Sequence, residues 1–186
     1  MVDGWCKWLD MFEDIHAVIF CVGLDAYDQM STTNEMSSPQ NKMMLIRELF
    51  ENILKYPCFQ GKPTVLFLNK YDVFEEKAHR IPITSCEWFS DFNPVQFSKR
   101  NPGHIAEQTY PYIAQKFKKL FGMATGQKIF TFKVNAREKS TVNEAFQYVK
   151  EVISWEKIRR DGSLSMVQDS MYTTELSSYP TPFDGH

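Results

Sequence analysis

Asn69, Lys70 and Asp72 put an amide, an ammonium and a carboxylate within four positions, directly after the apolar run TVLFL. An amide donates and accepts, and a carboxylate offers two acceptors. Guanine matches that set. Its N1–H and N2 amino group are donors for a carboxylate, and its N7 side lies within reach of an amide. Adenine lacks the donor pair and would leave the carboxylate unpaired, a costly mismatch. The aliphatic stem of Lys70 can lie across a purine face. The same residues suit a plainer role, with Asn69 and Asp72 capping the helix that follows a strand. A bare N-K-x-D favours the plainer role. A buried strand before it and a second loop on the same rim favour base recognition.

Such a site needs strands that end together. HAVIFCVGL (16–24) and TVLFL (64–68) are continuous apolar runs rich in β-branched and aromatic residues, the pattern of strands buried on both faces. KIFTFKV (128–134) reads as a third strand. Residues 25–40 read as a polar loop. Helical spacing predicts helices over 41–56, 105–121 and 141–157, with a short one at 74–79. Pro57 and the Gly61-Lys62-Pro63 run stop the first of these, and Gly122 stops the second. Ser140-Thr141, with Glu144 three residues on, resembles a capping box. Trp5, Trp8, Leu9 and Phe12 suggest a short amphipathic helix or loop over 5–14. Over 159–186 the period is lost in a Ser-, Thr-, Tyr- and Pro-rich tail, expected to be disordered. Alternation of strand and helix predicts parallel strands with flanking helices, an α/β domain over 1–158. In such sheets ligands sit beyond the strands' carboxyl ends. Both 69–72 and 135–137 fall there.

Composition bounds the alternatives. The 186 residues are 43% hydrophobic and 15% aromatic, enough for one domain with a core. A net charge of −2 gives no nucleic-acid footprint. No apolar run approaches the roughly 18 residues of a membrane span, and no signal-peptide pattern opens the chain. Cys6, Cys21, Cys58 and Cys86 lack metal or redox spacing and read as reduced, partly buried thiols of an intracellular protein. His16, His79, His104 and His186 show no ligand spacing, and the acidic residues Asp25, Asp28 and Glu35 lack the spacing of a calcium loop.

The blocks KWLDMFEDIHAVIFCVGLDAYDQ, FLNKYDVFEEK and FTFKVNAREKSTVNEAFQYVKEVI together resemble the carboxyl-terminal half of a heterotrimeric G-protein α subunit. IPITSCEWFSDFNPV and the tail SMYTTELSSYP resemble the plant extra-large G proteins in particular. The resemblance implies a partial Ras-like GTPase domain. It implies that Asn69 and Asp72 read guanine, that Lys70 stacks on the base, and that the backbone N–H of Ala136 meets guanine O6. Ala136 alone is retained from the family's second base loop, and Arg137 reads as a surface charge. GTP or GDP, a divalent metal (calcium or magnesium), the βγ dimer and a receptor or receptor-like kinase are implied in the same way. So is a place in the nucleus, the cytoplasm or at the inner face of the plasma membrane.

No GxxxxGK[ST] occurs in the sequence, and neither switch segment can be placed. The phosphate cradle and metal ligands would come from the family's other half. The expectation is a truncated form that keeps the base loops, with part of its sheet edge uncovered. The alternative is a nucleotide-independent module that binds the βγ dimer or a receptor kinase. The Trp5, Trp8, Met11 and Phe12 cluster is expected mainly in the core.

Overall fold

The computed structural model describes residues 15–31, 38–94 and 103–160. Three strands, β1 (Val18–Gly23), β4 (Thr64–Asn69) and β5 (Phe130–Lys133), form a sheet of order β1-β4-β5. Both pairings are parallel. Two short antiparallel strands, β2 (Met30–Ser31) and β3 (Gln40–Asn41), make a separate ribbon. Among the described residues the α-helices are α1 (Lys42–Ile53), α2 (Tyr71–Ala78), α3 (Gly103–Thr125) and α4 (Lys139–Arg160). The parallel α/β architecture is as expected.

The sheet separates two apolar layers, set by the two-residue period of its strands. Phe20, Val22, Leu66 and Leu68 face α1, α2 and α3, meeting Met43, Phe50, Phe74, Ile113 and Phe117. Val65 and Phe67 face α4, meeting Ala145, Val149 and Val152. β4 lies between two strands and between both layers, and its residues 64–68 are all buried. β1 departs from expectation. Phe20 and Val22 are buried, but Ile19 is 41% exposed and Cys21 is exposed. α4 packs over β4 and β5, and no described element covers the second face of β1. Cys86 is buried and Cys58 half-buried, as expected of these thiols, whereas the exposed Cys21 departs from that expectation.

Several boundaries move, each for a local reason. Residues 24–28 are a buried 3₁₀ turn, not open loop, because Leu24, Ala26 and Tyr27 complete the first layer. α1 starts at Lys42 because Asn41 caps it, its Oδ1 accepting from the N–H of Met43 at 2.9 Å and of Met44 at 3.4 Å. α2 starts three residues earlier than its apolar spacing suggests, directly after Lys70. α3 runs through Gly122 to Thr125. A glycine inside a helix costs only about 1 kcal/mol. The stop is Gly126, whose φ of 69° leaves the helical region.

α4 begins at Lys139, so Thr141 lies in its first turn and is no capping-box residue. The Thr141 hydroxyl instead donates back to the carbonyl of Asn135 at 2.6 Å. The same helix reaches Arg160, two residues into the span expected as tail. The third strand is shorter than its apolar run, and Ile129 and Val134 pack into the two layers from beyond its ends. The segments expected over 5–14 and beyond 160 lie outside the described residues, as do Cys6 and the tryptophan cluster.

Phe50 is the hub of the first layer, with Phe20, Phe117 and Phe121 ring centroids at 4.7, 5.5 and 6.3 Å. Phe50→Ala is expected to cost about 3–5 kcal/mol, read as a lower urea midpoint with little change in slope. Tyr27 gives a pH signature. Its hydroxyl donates to the carbonyl of Ile81 at 2.8 Å. Burial, then the nearby Asp28 carboxylate, push its pKa up to about 12. The folded chain holds this proton more tightly than the unfolded chain, where tyrosine titrates near 10. The resulting stability is complete below pH ~10 and drains away as pH rises towards 12. Urea midpoints measured across this range should fall more steeply for the wild type than for Tyr27→Phe.

Candidate functional site

The sheet register brings three loops to one rim. Gly23 pairs with Asn69 at the ends of β1 and β4. Leu68 pairs with Lys133 at the end of β5, and the N–H of Val134 donates to the carbonyl of Leu68 at 2.9 Å. The segments 24–28, 69–72 and 134–138 therefore leave the sheet side by side.

Asn69 joins two of them. Its Oδ1 accepts from the N–H of Lys70 at 2.7 Å and from the N–H of Ala136 at 3.0 Å. Burial raises the pKa of the neighbouring Cys21 thiol, and the Asn69 side chain pulls it partly back. Asn69 thus spends its acceptor on loop architecture, and the Ala136 N–H is engaged within the protein. The 134–138 turn is held further by Asn135, whose Nδ2 donates to Glu138 at 2.7 Å and whose Oδ1 accepts from the Arg137 N–H at 3.3 Å. Arg137 is exposed.

Lys70 occupies the cap position of α2 in the left-handed region, φ 60° and ψ 40°, the only non-glycine with positive φ among the described residues. That conformation costs roughly 1–2 kcal/mol for a residue with a Cβ. No side chain caps α2 from this position, and Asn69 instead accepts the Lys70 N–H just ahead of the helix. The Lys70 Nζ pairs with Asp25 at 3.0 Å. A second lysine, Lys77, pairs with Asp28 at 2.6 Å and donates to the Asp25 carbonyl at 3.2 Å.

Asp72 sits in the first turn of α2, where the helix dipole favours a carboxylate. Its Oδ1 is buried and has no hydrogen-bond partner among the described residues. Such an oxygen costs about 1–3 kcal/mol unless a donor outside the described residues meets it. Between Lys70 and Asp72, Tyr71 turns inward against Phe74 and Tyr110. The Lys133 Nζ lies 4.2 Å over its ring, so the end of β5 is tied to the start of α2.

The structure brings Asn69, Lys70, Asp72 and Ala136 together. It adds Gly23, Asp25 and Tyr71, which spacing did not single out. The available signal for Asp25 was its place just after a strand end. Tyr71 carried none beyond its aromatic character inside the motif. Among the described residues, no group of three or more His, Cys, Asp or Glu side chains is placed to hold a metal ion. No described helix is long and apolar enough to cross a membrane.

A parallel sheet with helices on both faces and polar loops gathered at its carboxyl edge is an α/β domain of the kind that binds ligands at that edge. The G-protein alpha subunit family matches residues 5–153, and the chain belongs to that family. It is 38% identical over 178 residues to extra-large guanine nucleotide-binding protein 1 of Arabidopsis thaliana, covering 94% of this chain and 19% of that protein. It is 37% identical to extra-large guanine nucleotide-binding protein 2 of the same plant, over 82% of this chain and 19% of that protein. Against the guanine nucleotide-binding protein alpha-2 subunit of Glycine max it is 35% identical, over 85% of this chain and 41% of the relative. The chain therefore spans about a fifth of the extra-large relatives and two fifths of the alpha-2 subunit. The resemblance read from the sequence holds.

Asn69→Ala removes the acceptor shared by two loops. The expected result is a loss of about 1 kcal/mol in urea unfolding. Hydrogen exchange at the Ala136 and Lys70 amides should accelerate while the α3 amides keep their rates. Unchanged exchange at Ala136 would show that the loop is held without Asn69.

Proposed function

We propose that this chain carries the guanine-reading part of an extra-large-type G-protein α subunit acting in signal transduction. The observation that supports it most is the buried Oδ1 of Asp72, which has no partner among the described residues. It stands in the same loop as Asn69 and Lys70 and beside the turn that carries Ala136. The roles follow from donor and acceptor chemistry. Asp72 accepts from guanine N1–H and the N2 amino group. The Asn69 amide reaches the N7 side. The Lys70 stem covers one face of the base, and the Ala136 N–H, released from Asn69 or shared with it, meets O6.

GTP or GDP is the corresponding ligand. A nucleotide's phosphates need backbone donors, a lysine and a divalent metal, calcium or magnesium in this family. The sequence contains no GxxxxGK[ST] to supply that cradle. Base contacts alone amount to two or three hydrogen bonds and a stack. After immobilisation of the ligand they leave affinity roughly in the millimolar range.

A second reading, a protein-interaction module for the βγ dimer or a receptor kinase, draws support from an exposed apolar surface. Ile19 and Cys21 on β1 are exposed on the sheet face that carries Phe67, and Phe146 of α4, packed edge-on against Phe67, is 51% exposed. Both readings place the chain in G-protein signalling. They differ in whether nucleotide is needed.

Calorimetric titration of the 186-residue protein with GTPγS, in magnesium or calcium, is expected to give no micromolar binding, and single-turnover assays no hydrolysis above buffer. Saturable micromolar binding would reveal a phosphate site outside the residues named here. GMP at millimolar concentration should shift the amide resonances of residues 69–72 and 136. Asp72→Asn should weaken that binding by about 1–3 kcal/mol, since an amide presents one acceptor where a carboxylate presents two. Equal GMP shifts in wild type and Asp72→Asn would sink the base assignment.

A further inference from the structure

The rim contains a device that the N-K-x-D motif does not include. Lys70 reaches back across the end of β1 to Asp25. The Asp25 residue is 8% exposed, while the Lys70 side chain is 53% exposed. The ammonium is therefore tethered at its tip, and much of the lysine remains open to solvent. The stem runs close over Gly23: a Cβ added there would stand 3.7 Å from Lys70 Cδ and 3.8 Å from Cε. The same Cβ would stand 2.7 Å from Asp25 Oδ1, closer than real contacts allow. Glycine at the last position of β1 is what lets the carboxylate fold back to meet the lysine.

Asp25 is itself fixed. Its Oδ2, the oxygen that takes Lys70, also accepts from Gln29 Nε2 at 3.0 Å. Its backbone carbonyl accepts from Gln29 Nε2 at 2.9 Å and from Lys77 Nζ at 3.2 Å. A partly buried carboxylate with several donors is a rigid anchor, whereas an exposed lysine alone samples many rotamers. The left-handed backbone of Lys70 directs the chain over the rim, and the Asp25 pair holds the other end.

We propose that Asp25, admitted by Gly23, is a positioning residue for the base site. It holds the Lys70 methylenes flat, so that a purine meets a preformed surface. Ordering the lysine before binding removes a rotamer cost from the binding step. This inference rests on the guanine reading above and goes beyond it in assigning Asp25 and Gly23.

The test uses the 186-residue protein, with Asp25→Asn, Lys70→Met, their double variant and Asp28→Asn. Asp28→Asn breaks the neighbouring Lys77 pair without touching Lys70. Without ligand, nuclear Overhauser contacts from the Lys70 δ and ε methylenes to the Gly23 α protons are expected in the wild type and in Asp28→Asn. They should vanish in Asp25→Asn. With GMP as the probe, the dissociation constant from the 69–72 and 136 amide shifts should rise three- to tenfold in Asp25→Asn and in Lys70→Met. The double variant should bind no more weakly than the weaker single variant, because both changes remove one device. Asp28→Asn should bind as the wild type does.

Contacts that are absent in the wild type, or that survive Asp25→Asn, overturn the anchor. An equal loss of GMP affinity in Asp28→Asn, or additive losses in the double variant, overturn the positioning role. If the wild type shows no GMP shift, the guanine reading falls and this role falls with it. The ligand-free contacts would then still report separately whether the tether exists.

Discussion

β4 is the constraint on which the rest depends. It pairs in parallel with β1 on one side and β5 on the other, and residues 64–68 are buried between two helical layers. A strand in that position has no tolerance for slippage. A one-residue shift would exchange Leu66 and Leu68 with Val65 and Phe67 between layers built for different side chains. Fixing its register fixes where it ends, and therefore where Asn69 points. It also fixes which residues of β1 and β5 stand level with that end. The polar rim is a consequence of the apolar ladder.

The rim itself is built against local preference. Lys70 adopts a left-handed backbone that an ordinary residue avoids, and Asp72 keeps a buried oxygen without a partner among the described residues. Each costs on the order of 1–3 kcal/mol. Neither is repaired by a helix cap, since α2 starts without one. The compensation is distributed. Asn69 takes two backbone N–H groups, Asp25 takes the lysine tip, and Lys133 lies over Tyr71. Strain retained by a network of surrounding contacts is the pattern of sites arranged for a ligand.

The two faces of the sheet are unequally finished. The face towards α1, α2 and α3 holds a continuous aromatic cluster that includes Phe20, Phe50, Phe117 and Trp88. The opposite face is complete over β4 and β5 but stops short of β1, so Ile19 is solvent-facing beside Cys21. The apolar run of β1 is thus written for more cover than the described residues provide, whereas that of β4 has all of it.

The sequence by itself determined the strand–helix alternation, the parallel class, the family and the grouping of Asn69, Lys70, Asp72 and Ala136 on one rim. The alternation, the class and the shared rim follow from apolar period and from where the motifs fall on it, whereas the family and the choice of Ala136 came from the resemblance of whole blocks. Boundaries were legible to within a residue where a local signal dominated, as at the start of α1, where Asn41 proves to be the cap and not the first helical residue. They misled where a stronger neighbour lay outside the pattern, as Gly126 outranked Gly122, and as the Asn135 carbonyl claimed the Thr141 hydroxyl. Tertiary structure alone decided that Asn69 spends its acceptor on Ala136, 67 residues away, and that Asp25 reaches Lys70 across 45 residues. It alone left, among the described residues, one oxygen of Asp72 unpaired and one face of β1 open. The physical reason is common to all four. Each depends on which groups the strand register places side by side, and sequence spacing carries no measure of that distance.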